Sequence, residues 1–263
     1  MTETAGTNTA GGVTCRPRIV AFAGNPNTGK STLFNAFTGL RQHTGNWPGK
    51  TVTVTRGRFR FRGVNYIAVD LPGTYSLLPN SPEERLAKDF IFSDLYDVVV
   101  VVTDATCLER NLALALQILE VTDKVVVCVN LIDEARSKGL RVNTEALSRM
   151  LGVPTVATSA RDGEGLPALM DAIESVITGR TATRPLKLKY TSEIEGQLRR
   201  IAGWLGPTGL VDGKLRGVSV QLLCGECDVL DVLRSSNRIV ECLGKLDEGR
   251  RIRRECSVNA VSR

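Results

Sequence analysis

The sequence predicts an α/β protein in which a doubly wound, mostly parallel six-stranded sheet is followed by a small all-helical region. Three observations carry this reading. Short β-branched runs alternate with helical stretches from Arg18 to about Gly179. Two of those runs, residues 98–102 and 125–129, are nearly continuous valine, as strands buried on both faces should be. Beyond Gly179 the β pattern stops, and apolar residues recur at helical spacing.

Composition agrees with a packed, water-soluble fold. The chain has 263 residues, 42% of them hydrophobic, and a net charge of +6. That charge permits contact with an acidic surface without demanding nucleic acid. No apolar run approaches the roughly eighteen residues of a membrane span. Residues 1–17 are small and polar, without the apolar centre of a secretion signal, and read as a disordered lead-in. The seven cysteines are odd in number and scattered, which suits a reducing compartment better than a disulfide framework. Cys107 and Cys128 adjoin apolar β-type runs and are expected to behave as small core side chains.

Strands are expected at 19–23, 51–61, 65–69, 98–102, 124–129 and 155–157, joined by five crossovers. In such folds ligands sit beyond the carboxyl ends of the strands, so chemistry should appear there. After the first strand stand Gly24, Asn25, Pro26, Asn27, Thr28, Gly29, Lys30, Ser31 and Thr32. The spacing G-x-x-x-x-G-K-[ST], with a strand before it and a helix after it, is a phosphate cradle. Its glycines let backbone N–H groups turn inward, Lys30 reaches β- and γ-phosphates, and the Ser31 hydroxyl ligates Mg²⁺.

The next segment, 41–51, is a Gly- and Pro-punctuated loop able to fold over a bound phosphate, with Gly49 and Lys50 beside it and Thr51 as the switch threonine. The Thr51 hydroxyl would ligate Mg²⁺ and its N–H would sense the γ-phosphate. His43, the only histidine, reads as solvated rather than catalytic. In Arg56–Arg62 basic residues alternate with Gly and Phe, which suggests an edge strand whose charges discourage edge pairing, ahead of an anionic docking surface. Asp70-Leu71-Pro72-Gly73 ends the following apolar run. In this D-x-x-G, Asp70 would hold Mg²⁺ through water and Gly73 N–H would bond the γ-phosphate. Thr74 stands where Ras-like proteins carry a water-orienting glutamine, so unassisted turnover should be slow, roughly 10⁻² s⁻¹ or below.

Asn130-Leu131-Ile132-Asp133 follows the second valine run. The Asp133 carboxylate can accept from both guanine N1–H and N2–H₂, for which adenine offers no matching pair. A wrong base would leave a buried oxygen unpaired at a cost of about 1–3 kcal/mol. Leu131 would cover the purine with apolar surface alone. Thr158-Ser159-Ala160 ends the last strand and suits a loop whose N–H groups reach guanine O6. These motifs, in this order and each at a strand end, predict a P-loop GTPase fold that binds GTP or GDP.

Gly24-Asn25-Pro26-Asn27, then Gly45-Asn46-Trp47-Pro48-Gly49, then Asp70-Leu71-Pro72-Gly73-Thr74-Tyr75-Ser76-Leu77 resemble the cytoplasmic GTPase part of the ferrous iron transport protein B (FeoB) family, over residues 18–180. The resemblance implies a GTP-hydrolysing switch on the cytoplasmic face of the bacterial inner membrane, regulating or driving Fe²⁺ uptake. It implies catalytic roles for Asn27, Lys30, Thr51 and Gly73, with Asn27 ligating a K⁺ ion that replaces an arginine finger. Lys50 departs from the apolar residue usual there. The implied partners are guanine nucleotide, a membrane-spanning portion of the same polypeptide, further copies of the chain and small Feo accessory proteins, with no nucleic acid. The alternative is a stand-alone ribosome-assembly GTPase that binds RNA, which the charge favours and the lack of a recognisable RNA module after Gly179 opposes.

Residues 185–256 are similar to the helical module that follows the GTPase part in this family, described as guanine nucleotide dissociation inhibitor-like. Thr191 or Ser192 should cap a helix bearing Ile194, Leu198, Ile201 and Leu205, with shorter helices at 218–223 and 229–233. Cys224-Gly225-Glu226-Cys227 lacks the second ligand pair of a zinc site and reads as structural thiols. The basic cluster at 249–254 reads as a solvated helix end, of the kind that precedes a membrane span on its cytoplasmic side.

Overall fold

The computed structural model describes residues 16–39, 42–46, 53–206, 210 and 212–231. The expected lead-in, the loop from Trp47 to Thr51, Cys15, Cys242, Cys256 and the basic cluster at 249–254 lie outside them, apart from Arg16 and Pro17. In chain order the elements are β1 (Arg18–Gly24), α1 (Lys30–Thr38), β2 (Gln42–Asn46), β3 (Thr53–Phe61), β4 (Val64–Asp70), α2 (Pro82–Phe92), β5 (Val98–Asp104), α3 (Leu108–Val121), β6 (Val125–Asn130), α4 (Ile132–Ser137), α5 (Thr144–Leu151), β7 (Thr155–Ala157), α6 (Leu166–Ile177), α7 (Ser192–Leu205) and α8 (Asp212–Leu223).

The sheet holds the six expected strands and a seventh, in the order β2-β3-β4-β1-β5-β6-β7. The extra strand is β2, whose sequence QHTGN has no apolar alternation to announce it. It forms by pairing antiparallel with residues 53–57 of β3. Arg56–Arg62 is therefore not an edge along its whole length: β3 is enclosed by β2 up to Gly57 and pairs only with β4 beyond it. The link from β3 to β4 is also not a crossover. It is a two-residue turn at Arg62 and Gly63, both at positive φ, the backbone that a tight hairpin of right-twisted strands requires.

Strand alternation divides the core into two layers. Val20, Phe22, Val98, Val100, Val102 and Cys128 face Leu33 and Phe34 of α1 and Leu169, Met170 and Ile173 of α6. On the other face Ala21, Val69, Val99, Val101 and Val127 meet α2 and α3, and this layer runs on without a break to Ile201 and Leu205 of α7 and Val218 and Leu222 of α8. A stack of Phe22, Phe37, Phe59 and Tyr66 rings, with successive centroids 5.9, 5.7 and 5.0 Å apart, fixes α1 behind the first strand. Cys128 is buried as expected, but Cys107 is exposed at the N-cap of α3.

The helices begin where the sequence offers caps. Ser81 accepts from Glu84 N before α2, and Thr191 accepts from Ile194 N before α7. α8 ends in a Schellman turn: Gly225 N–H bonds Leu222 O, Glu226 N–H bonds Gln221 O, and Gly225 takes φ +89°. Residues 229–231 are helical, and the rest of the helix expected over 229–233 lies outside the described residues. α8 lies so close to α3 that a Cβ at Gly217 would stand 2.8 Å from Val121 Cα. Arg216 binds it further, reaching Glu120 at 2.7 Å, Glu195 at 2.9 Å and Leu188 O at 2.6 Å. From the turn after α8, Glu226 meets the buried Lys88 of α2 at 2.6 Å, and Asp228 pairs with Arg85 of the same helix. Among the described residues no helix is long and apolar enough to cross a membrane.

Candidate functional site

The phosphate cradle forms where β1 runs out at the sheet's carboxyl edge. Gly24 passes so near β5 that a Cβ there would lie 2.4 Å from Val102 O. The loop then turns through two left-handed residues, Asn27 at φ 65° and Gly29 at φ 75°. For Asn27 this conformation is uncommon and throws the side chain outward, leaving it exposed. A cleft of about 410 Å³ follows, lined by Asn25, Pro26, Asn27, Gly29, Lys30, Ser31, Thr32 and Gly73. Gly73 faces Pro26 so closely that any Cβ would come within 3.2 Å of it.

Two separate motifs meet here. Lys30 Nζ donates to one oxygen of Asp70, and Ser31 Oγ donates to the other at 3.0 Å. Thr74 N–H bonds Gly24 O at 3.1 Å and pins the D-x-x-G segment to the end of β1. The Thr74 hydroxyl is turned inward onto Ser76 O at 2.6 Å, so it is not presented to the cleft. Asn25 is 2% exposed and neither its Oδ1 nor its Nδ2 has a protein partner, an expensive state for a buried amide. An orphaned amide, an ammonium and a hydroxyl thus line one small cleft, and the Asp70 carboxylate is bonded to the last two. Such a donor set fits a polyphosphate with a hard, oxygen-seeking divalent cation.

The second half of the site lies at the end of β6. Asn130 is fully buried, its Nδ2 donates to Thr28 O at 2.9 Å, and its Oδ1 accepts from Thr158 Oγ1 at 3.1 Å and Ala160 N at 3.0 Å. It is a strap between the phosphate loop and the last loop rather than an exposed contact. Leu131 takes φ 61° and launches α4, whose first turn carries Asp133. Partial desolvation works against charge on Asp133, but the Ser159 side chain, nearby backbone N–H groups and Arg161 outweigh it and hold the carboxyl below its ordinary range. Thr158, Ser159 and Ala160 are all buried, and Ser159 Oγ donates to Asp162 at 2.7 Å.

The structure brings together every expected residue from Gly24 to Thr32 with Asp70 and Gly73, and gathers Asn130, Leu131, Asp133 and the Thr158–Ala160 loop beside them. Gly49, Lys50 and Thr51 lie outside the described residues. Sequence reasoning missed Arg161, which pairs with Asp133 at 2.6 Å while remaining largely exposed. Its position directly after Thr158-Ser159-Ala160 is the signal that could have found it.

A phosphate loop after β1, a D-x-x-G after β4 and an N-x-x-D after β6, on this sheet order, define a P-loop GTPase fold. The sequence profile of the family described as ferrous iron transport protein B matches residues 18–173, and the chain belongs to that family. It is 44% identical over 178 residues to the Fe(2+) transport protein A/Fe(2+) transporter FeoB fusion protein of Porphyromonas gingivalis, covering 67% of this chain and 21% of that one. It is 42% identical over 159 residues to the Fe(2+) transporter FeoB of Escherichia coli K12, covering 59% of this chain and again 21% of the relative. The chain thus spans about a fifth of the length of these relatives.

Among solved structures, the cytosolic domain of Legionella pneumophila FeoB superposes with a TM-score of 0.75 at 30% identity, covering 91% of this chain and 93% of that one. The cytosolic domain of Thermotoga maritima FeoB in a GDP form gives 0.75 at 32%, covering 92% and 98%. Both likenesses extend past the end of the family profile into the helical region.

Proposed function

We propose that this chain binds guanine nucleotide with Mg²⁺, hydrolyses GTP slowly, and serves as the cytoplasmic part of a ferrous iron transporter, regulating or driving uptake through a membrane portion of the same polypeptide. The convergence of Lys30 and Ser31 on Asp70 carries the reading, because it joins the phosphate loop to the switch segment through the side chains that a nucleotide and its metal would engage. GDP-bound relatives support it. In this reading Lys30 exchanges Asp70 for the β- and γ-phosphates, Gly73 N–H bonds the γ-phosphate, and Asp133 selects guanine. Mg²⁺ held by Ser31, Thr51 and, through water, Asp70 would neutralise charge on the transferring phosphoryl group. Asn27, exposed on its left-handed turn, is the residue suited to hold K⁺ there. Thr74 is tied to Ser76 O and does not orient water, which accords with slow turnover. α2 is the next element after the D-x-x-G segment and carries the ion pairs to Glu226 and Asp228, which supports control of nucleotide release by the helical region.

The test is phosphate release from GTP and from ATP, in KCl and in NaCl. GTP alone should be hydrolysed, faster in KCl, with the salt difference lost in Asn27→Ala and all turnover lost in Lys30→Ala. Equal turnover of ATP would remove the guanine assignment, and equal rates in the two salts would remove the K⁺ role.

A further inference from the structure

A second cleft lies on the opposite wall of the sheet from α1, away from the phosphate loop. The register places Ala21, Val69 and Arg56 in one cross-strand row and Ile19, Ile67 and Arg58 in the next. These rows face α2, because the intervening Gly57 points the other way: a Cβ on it would strike Thr38 and Phe34 of the α1 layer. α2 leaves part of the two rows uncovered. Between them and the end of the helix is a cleft of about 320 Å³ with apolar walls from Ile19, Ile67, Val69, Phe90 and Leu95. Leu95 is 49% exposed at its mouth.

The outer rim is cationic. Arg56 and Arg58 line the cleft on β3, and Arg60 continues the same face one repeat further along, about 7 Å away. Among the described residues no carboxylate pairs with Arg58 or Arg60. Asp97, the acid beside Ile19, is already engaged by Arg16 at 2.9 Å and by Ile19 N–H at 2.7 Å.

We propose that this cleft is a docking site for an acidic amphipathic helix of a partner protein, which lies beside α2, inserts apolar side chains between Ile67 and Leu95, and sets carboxylates against Arg58 and Arg60. Three arguments fix the occupant. The volume is at the lower end of the range for ligand pockets, about 300–1,000 Å³, so it takes a few side chains rather than a whole domain. The apolar surface is recessed, which receives protruding side chains; a lipid surface would instead require apolar groups that project. The segment after α8 carries Arg250, Arg251, Arg253 and Arg254, the wrong sign for this rim. The lining includes Arg56 and Arg58 of β3, which follows the loop of Thr51, and Phe90 of α2, the next helix after the D-x-x-G segment. Docking is therefore coupled to the nucleotide, a clause that rests on the proposed function while the binding itself does not.

The experiment uses the full chain and fluorescence anisotropy of a fluorescein-labelled 18-residue helical peptide with leucines at i, i+3, i+4 and i+7 and glutamates on its flanks. A lysine-flanked counterpart is the control. The glutamate peptide should bind the nucleotide-free protein, and Arg58→Glu with Arg60→Glu should weaken it about tenfold or more while improving the lysine peptide. Leu95→Asp should abolish binding, with thermal melts confirming that each variant folds. Affinity should differ between GDP and a non-hydrolysable GTP analogue. Equal binding of the two peptides, or none at about 1 mM, overturns the proposal; so does co-sedimentation with phosphatidylglycerol vesicles that Arg58→Glu abolishes, which would assign the site to lipid. Equal peptide affinity in the two nucleotides overturns the coupling clause alone.

Discussion

Replacing Asn130 by alanine isolates the strap between the two halves of the site. The wild-type side chain makes three buried hydrogen bonds, to Thr28 O, Thr158 Oγ1 and Ala160 N. Thr158 Oγ1 retains a second neighbour, Cys128 Sγ at 3.1 Å, so its loss is small. Among the described residues Thr28 O and Ala160 N–H have no such alternative and are left buried and unpaired, at about 1–3 kcal/mol each. The sum, about 2–6 kcal/mol, divides between looser loops and weaker nucleotide binding. If half falls on binding, GDP affinity drops by about fivefold to 150-fold, since 1.4 kcal/mol is tenfold. Displacement of a fluorescent GDP analogue reads that loss, and thermal unfolding reads the remainder. Asp133→Ala is the control: among the described residues its one ion pair is with exposed Arg161 and its other contacts are local to the loop, so it should lose guanine affinity with little change in melting temperature. If Asn130→Ala bound GDP within threefold of wild type and melted at the same temperature, the strap would not be holding the site.

Gly29→Ala should damage the same strap from the other side, because its Cβ would lie 2.4 Å from Asn130 Nδ2 on a backbone at φ 75°; GDP affinity should fall at least tenfold, and unchanged titrations would count against the close approach. Glu195, hydrogen-bonded by Arg216 and by Tyr190 N–H, has its carboxyl pulled down to about 2. Its contribution is thus fully present above the unfolded carboxylate range near 4.5 and is lost as pH falls from there towards about 2. Melting temperature should drop more steeply across that window in the wild type than in Glu195→Gln, and parallel curves would deny the linkage. Burial pushes the Cys128 thiol up to about 12, so a thiol reagent at pH 8 should label exposed Cys107 in the native protein and spare Cys128, while rapid labelling of Cys128 would show its layer to be open.

Much of this architecture is legible in the sequence because its signals are local. The valine runs announce β5 and β6 without help, and the phosphate loop, D-x-x-G and N-x-x-D motifs fall at strand ends as the fold requires. What escaped depends on partners remote in the chain. β2 has no apolar alternation, and its extended backbone comes from the ladder that β3 supplies, a case of context overriding propensity. The period-two pattern of Arg56–Arg62 gives the two faces correctly but cannot say that a strand lies alongside half of it. Asn130 was legible as part of a guanine motif, yet its bonds run to Thr28 and Ala160, 102 and 30 residues away. Cys107 follows an apolar run but sits where the chain turns into α3, so the run's burial does not extend to it.

The boundary near Gly179 divides the chain by pattern and not by charge. Lys88 belongs to α2, inside the first region, and is buried, while its counterion Glu226 comes from the turn after α8 in the second. A fragment of this protein ending near Gly179 would take that carboxylate away from the ammonium, a loss of up to several kcal/mol if Lys88 stayed buried. α2 would then have to turn Lys88 out towards water, disturbing the helix that the D-x-x-G segment feeds into. Nucleotide kinetics measured on such a truncated piece would describe a relaxed α2, and the intact chain would need to be measured in its own right.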